Sequence, residues 1–124
     1  MRSTAKHTIQ NIAKFMSKIF YDHLIILEEV EIELDNLQLD KDERRELEHL
    51  IEETIHHRVL GKILTKLPKP HHEEFLKKFA SAPHDPSLIH YLNHKIKESV
   101  EKHIAKEIES LKKELLTELK GQKK

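Results

Sequence analysis

The sequence predicts an all-α fold, a compact domain of four to five helices, and three observations carry that prediction. Apolar residues form 37% of the 124-residue chain and charged residues 35%, with two Gly and no Trp, which is the composition of amphipathic helices with wet outer faces. The apolar positions recur mainly three and four residues apart, the spacing of one helix face. Recognisable helix starts, Asp40-x-x-Glu43 and Asp85-Pro86, alternate with breaks at Pro68, Pro70 and Pro83.

The first helix is expected to start after Ser3 or Thr4, either of which can cap exposed amides, and to run to about Tyr21 or beyond. Ile9, Ile12, Met16, Ile19 and Phe20 form its stripe, which continues through Leu24 and Leu27. This segment is basic and contains Ser3, Thr4 and Ser17, as an organellar transit peptide does. A core-facing stripe accounts for its apolar residues better. Next, Val30, Ile32 and Leu34 alternate with Glu29, Glu31 and Glu33. That is strand periodicity, but a lone strand leaves its backbone groups unpaired, so the stretch reads as continued helix or extended linker.

Asp40 and Glu43 make a capping box, each side chain satisfying an amide of the other residue. The long central helix they open is expected over about 41–66, ending before Leu67-Pro68 because a residue that precedes proline disfavours helical backbone. At about 100° per residue, Leu47, Leu50, Ile51 and Ile55 share one face, whereas Leu60, Ile63, Leu64 and Leu67 cluster nearly opposite. A helix buried on different sides at its two ends belongs between neighbours, with Gly61 permitting a close approach or slight bend. His71 to Ala80 reads as a short helix with Phe75, Leu76 and Phe79 inward. Asp85-Pro86 starts another, with Leu88, Ile89, Leu92 and Ile96 inward. Ser99 can cap the long C-terminal amphipathic helix, about 100–120, in which Val100, Ile104, Ile108, Leu111 and Leu115 form a coiled-coil-like seam widened by Leu116 and Leu119. The chain thus divides into a basic amphipathic helix with an acidic connector (1–36), a helical domain (37–120) and a frayed tail (121–124).

The length fits one core. With no Cys there is no disulfide framework, thiolate metal site or thiol nucleophile, and a cytoplasmic location is the expectation. The longest apolar run, Leu24 to Leu27, is one helical turn, so no membrane span is expected. The formal charge of zero conceals a dipolar distribution. Met1 to Tyr21 has four basic and no acidic residues, Asp22 to Glu53 three against thirteen, Thr54 to Lys97 eight against three, and Glu98 to Lys124 seven against six. Attraction between the basic ends and the acidic middle is the simplest reading.

Eleven His is the compositional oddity. Glu46, His49, Glu53 and His56 form two Glu-x-x-His pairs within about 80° of helix circumference. Di-iron bundles use that unit, but on different helices facing inward. Here both copies share one helix, opposite Leu47, Leu50 and Ile51, so they read as solvated. His90 and His94, four apart, are weak chelate candidates, as are the His71-His72 and His56-His57 neighbours, and exposed surface His is the reading for them too. No metal or cofactor is assigned. Ser residues lie outside any nucleophile-elbow motif, and two Gly leave no loop to cradle a phosphate, so an enzyme is not expected.

The order Leu37-Gln38-Leu39-Asp40, Arg58-Val59-Leu60-Gly61-Lys62-Ile63-Leu64, Leu67 with Glu73-Glu74-Phe75, Asp85-Pro86 and Glu107-Ile108-Glu109-Ser110-Leu111-Lys112-Lys113-Glu114-Leu115 resembles a family of small, uncharacterised all-helical bacterial proteins. The resemblance covers about residues 37–119. It implies a compact helical domain and transfers no activity or functional residue; the many His depart from the more acidic members expected.

The function expected is a noncatalytic protein interaction or assembly module, its terminal seam of Ile104, Ile108, Leu111, Leu115 and Leu119 pairing with a copy of itself or another protein. The alternative is nonspecific binding of nucleic acid or an anionic surface by Arg2, Lys6, Lys14 and Lys18, or by Lys77, Lys78, Lys95 and Lys97. Neither basic patch is dense.

Overall fold

A computed structural model describes residues 19–121. The first helix and its caps, the four basic residues Arg2, Lys6, Lys14 and Lys18, and most of the expected tail fall outside them. Among the described residues there are five α-helices and no strand: α1 (Glu28–Asn36), α2 (Lys41–Lys66), α3 (His72–Ser81), α4 (Ser87–Lys95) and α5 (Val100–Gly121), with 3-10 turns at Asp22–Leu24 and Lys69–His71. The all-α class and both long helices are as the sequence predicts.

The Val30–Leu34 alternation resolves as helix α1. Val30 and Leu34, four apart, are fully buried on one face, while Ile32 points outward and is 57% exposed. The helix ends at Leu37 and at Gln38, which takes a left-handed φ of 54°. In α2 the Asp40–Glu43 capping box forms in both directions, at 2.8 and 3.1 Å. Its buried apolar residues Ile51, Ile55, Val59 and Ile63, continued by Leu67 just after its end, stand every fourth position. Each such step advances about 40°, so the apolar stripe winds gradually round the helix instead of switching sides. Leu50 is the departure, 53% exposed on the outer side. Gly61 serves no close approach either: a Cβ there meets nothing within 4 Å.

The centre of the fold is α5 rather than α2. It packs against α1, α2, α4 and the Asp22–Leu24 turn. Its start is capped not by Ser99 but by Asn93 from the last turns of α4, whose Oδ1 accepts the Val100 amide at 2.7 Å. Phe20 meets Phe75 and Phe79 edge to face, and its amide donates to the Pro83 carbonyl at 2.7 Å. Leu76, expected inward, is 45% exposed, because Phe75 already fills the interior position on α3. One core joins Phe20, Tyr21, Leu27, Val30 and Leu34 to the buried residues of α2 through α5.

Candidate interaction surface

The predicted seam is where the helices of this chain meet. Ile104, Ile108, Leu111 and Leu119 are buried and Leu115 is partly buried, covered by α1 and α2. A seam at four-four-three-four spacing wants an apolar partner along its whole length, and two helices of the same molecule supply one. Only its outer margin is left for another chain. That margin is a groove of about 450 Å³ between α2 and α5, lined by Thr54, Arg58, Leu111, Glu114, Leu115 and Glu118, with Thr117 beside them.

Arg58 spans one end of the groove. Its Nε donates to Glu107 at 2.8 Å, and its two terminal nitrogens reach both oxygens of Glu114 at 3.0 Å. This fork holds the Glu114 carboxyl below its ordinary range. Leu50, Thr54 and Arg58 stand four apart and therefore form one line along α2, so Leu50 extends the wall one turn beyond Thr54. Glu46 and Glu53 flank it at helical-neighbour positions, and both are exposed. Of the exposed large apolar residues, Ile26, Ile32 and Leu50 all lie in the acidic stretch Asp22 to Glu53.

The metal candidates take other roles. His49 contacts Glu53 at 3.2 Å and Glu52 at 3.7 Å, and His56 contacts Glu52 at 3.7 Å. Glu46 is not brought to them by any such contact. His56 is not in water as expected: it is half-buried, and its Nδ1 shares a hydrogen bond with the hydroxyl of fully buried Tyr21. Burial lowers the His56 pKa, with Glu52 opposing, and burial raises that of Tyr21. His94 donates from Nδ1 to the His90 carbonyl at 3.0 Å, an interaction within α4. His72 likewise donates to the Leu67 carbonyl at 2.7 Å. Among the described residues no group of three or more His, Asp or Glu is placed to hold a metal ion.

The basic residues of α3 and α4 do converge, but not on open ground. Lys78 and Lys95 lie 5.3 and 5.8 Å from the centre of the Tyr91 ring. Acidic groups are interleaved with them: Tyr91 donates to Glu74 at 2.8 Å, Lys77 is 4.0 Å from Glu73, and Asp85 accepts the Ser87 amide. The cleft is electrostatically mixed rather than a cationic stripe.

Sequence reasoning missed the most buried ionic group. Arg44 donates to Glu31 and Asp35 on α1, both at 2.8 Å, and to Glu48 on its own helix at 3.0 Å. Glu31 is 3% exposed, and its second oxygen has no hydrogen-bond partner. Burial pushes its pKa up to about 7 although Arg44 pulls the other way. The Arg44–Glu48 pair was readable as an i,i+4 contact, whereas its partners on α1, like Tyr21 for His56, are set by the packing of distant segments.

No family model matches the chain, and comparison with curated proteins and with solved structures finds no match. The functional reading rests on the geometry alone.

Proposed function

We propose that this chain is a noncatalytic helical interaction module that receives a basic amphipathic helix of a partner protein in the groove between α2 and α5. The observation that carries this reading is the groove itself: an apolar floor of Leu111 and Leu115, exposed Leu50 continuing its α2 wall, and Glu46, Glu53 and Glu118 exposed along the same region. A helix in a groove is recognised by apolar anchors spaced one turn apart, with charges on its flanks setting orientation. Lys or Arg flanks complement this rim. The polar clusters support a noncatalytic role, since Arg44, Arg58 and His56 each link separate parts of the fold through side-chain bonds. Of the predicted seam, Leu111 and Leu115 keep a place in this reading, and Ile104, Ile108 and Leu119 belong to the core.

The test is titration of the full isotopically labelled chain with a synthetic amphipathic peptide bearing Leu at helical spacing and Lys on both flanks. Chemical shifts should move at Leu50, Thr54, Leu115 and Glu118, and added salt should weaken binding. Leu50→Lys should weaken it by about tenfold, the scale of one buried Leu anchor lost. Shifts that map elsewhere, or a Glu-flanked peptide binding equally well, would show the reading to be wrong.

A further inference from the structure

We propose that His56 is a pH-operated latch: its neutral imidazole holds the segment Ile19–Leu27 against α2 through the Tyr21 hydroxyl, and protonation of the ring loosens that segment. Phe20, Tyr21 and Leu27 of this segment are buried in the core, and among the described residues a small set of ring and polar contacts fixes how it lies there. Phe20 anchors it to α3 and to the Pro83 carbonyl, the Asp22–Leu24 turn rests on α5, and Tyr21 reaches α2 through His56. Tyr21 meets the imidazole edge to face with ring centres 5.8 Å apart, and it has no solvent exposure.

The chemistry of the contact fixes the direction of the switch. A hydroxyl that donates to Nδ1 requires that nitrogen to be unprotonated, which places the ring hydrogen on Nε2, toward Glu52. When both nitrogens carry hydrogen, the hydroxyl must rotate to accept. Its own hydrogen is then left without the acceptor it had, inside a site with no water contact, and such an unsatisfied buried donor is costly.

Among the described residues, the groups that act on the ring come from α2 and from the segment packed against it. Glu52, on the same helix, favours the imidazolium, and Tyr21 comes from the segment packed against it. The α5 glutamates Glu107 and Glu114 engage Arg58, which two residues further along lies about 200° round α2. Burial outweighs Glu52, so the ring is held below its ordinary pKa. The closed state therefore prevails at neutral pH, and acid opens it.

Hydrogen exchange of the full chain tests this. The amides of Asp22, Leu24 and Ile25, bonded within the segment, should lose protection relative to Ile108 of α5 by about threefold or more between pH 7.5 and pH 5.5. Using a ratio removes the intrinsic pH dependence of exchange. His56→Gln, which cannot titrate, should abolish the change. An unchanged ratio in the wild-type protein, or a variant that retains the full change, overturns the latch. Should the variant not fold, ring nitrogen shifts of wild-type His56 decide: the latch requires the Nε2–H tautomer and a titration midpoint below 6.5, and a midpoint at or above that value refutes it.

Discussion

Arg44 neutralises Glu31 at a depth where Glu31 could not hold a charge alone, so Arg44→Met should be costly in a pH-dependent way. At pH 8 the orphaned carboxylate destabilises the fold by about 3 kcal/mol, the usual scale for breaking a buried pair, and by less at pH 5, where Glu31 is protonated. The wild-type protein should itself show this carboxyl in its pH profile. The folded state binds the proton more tightly than the unfolded chain does, because its pKa is about 7 against the ordinary 4.5. Stability from this group is thus fully present below 4.5, falls as pH rises through that interval and is flat above 7, a loss on the order of 3 kcal/mol. His56 contributes the opposite sign, its depressed pKa removing stability as pH falls below 6.5. Urea unfolding at half-unit pH steps on wild type and Glu31→Gln separates the two: the variant should lose the decline and keep the His56 arm. Gly61→Ala is the simplest gain. The site is helical, has a negative φ and leaves room for a Cβ, so about 1 kcal/mol of stabilisation is expected in thermal or urea unfolding.

Helix boundaries were the most legible feature of this sequence because capping chemistry is local. Asp40 and Glu43 specify the start of α2 through their own side chains, and Leu67-Pro68 its end, and both fall where they were read. Asp40→Ala should accordingly cost about 1 kcal/mol in urea unfolding, with little change in helix content by circular dichroism, since packing holds the rest of α2. Signals that depend on a neighbour were harder to read. Val30–Leu34 carries a strand pattern and a helix pattern at once, and burial of Val30 and Leu34 beneath α5 decides between them. Ser99 occupies a plausible cap position, yet Asn93 arrives from the preceding helix and takes the Val100 amide. Leu50 and Leu76 fit apolar stripes by spacing, but Ile51 and Phe75 beside them occupy the inward positions. The candidate site was legible in the same partial way. Leu111 and Leu115 stood out through the seam, and the groove they floor arises only when α2 lies alongside α5.

In the whole molecule, the cancelling charges of the sequence become cross-links. Lys112 of α5 meets Glu29 of α1 at 3.2 Å, and Arg58 of α2 meets Glu107 and Glu114 of α5. These exposed or half-exposed pairs set register more than stability. Stability comes from the apolar residues of α5, which serve several partners at once. Ile104→Ala should therefore cost about 3 kcal/mol and shift the entire unfolding transition, with all helices melting together, because one hydrophobic cluster joins the buried residues of α5 to those of the other helices. A variant that loses α5 alone while the rest keeps native far-UV signal would contradict that single cooperative unit. The late position of α5 also governs how this protein meets the cell during synthesis. Until Leu119 has left the ribosome, Val30, Leu34, Ile51 and Ile55 lack the surface that covers them, so helices α1 to α4 emerge as open, protease-accessible segments. A pause in translation before Val100 should therefore lengthen the time for which these apolar residues stay uncovered, which limited proteolysis of stalled chains would detect.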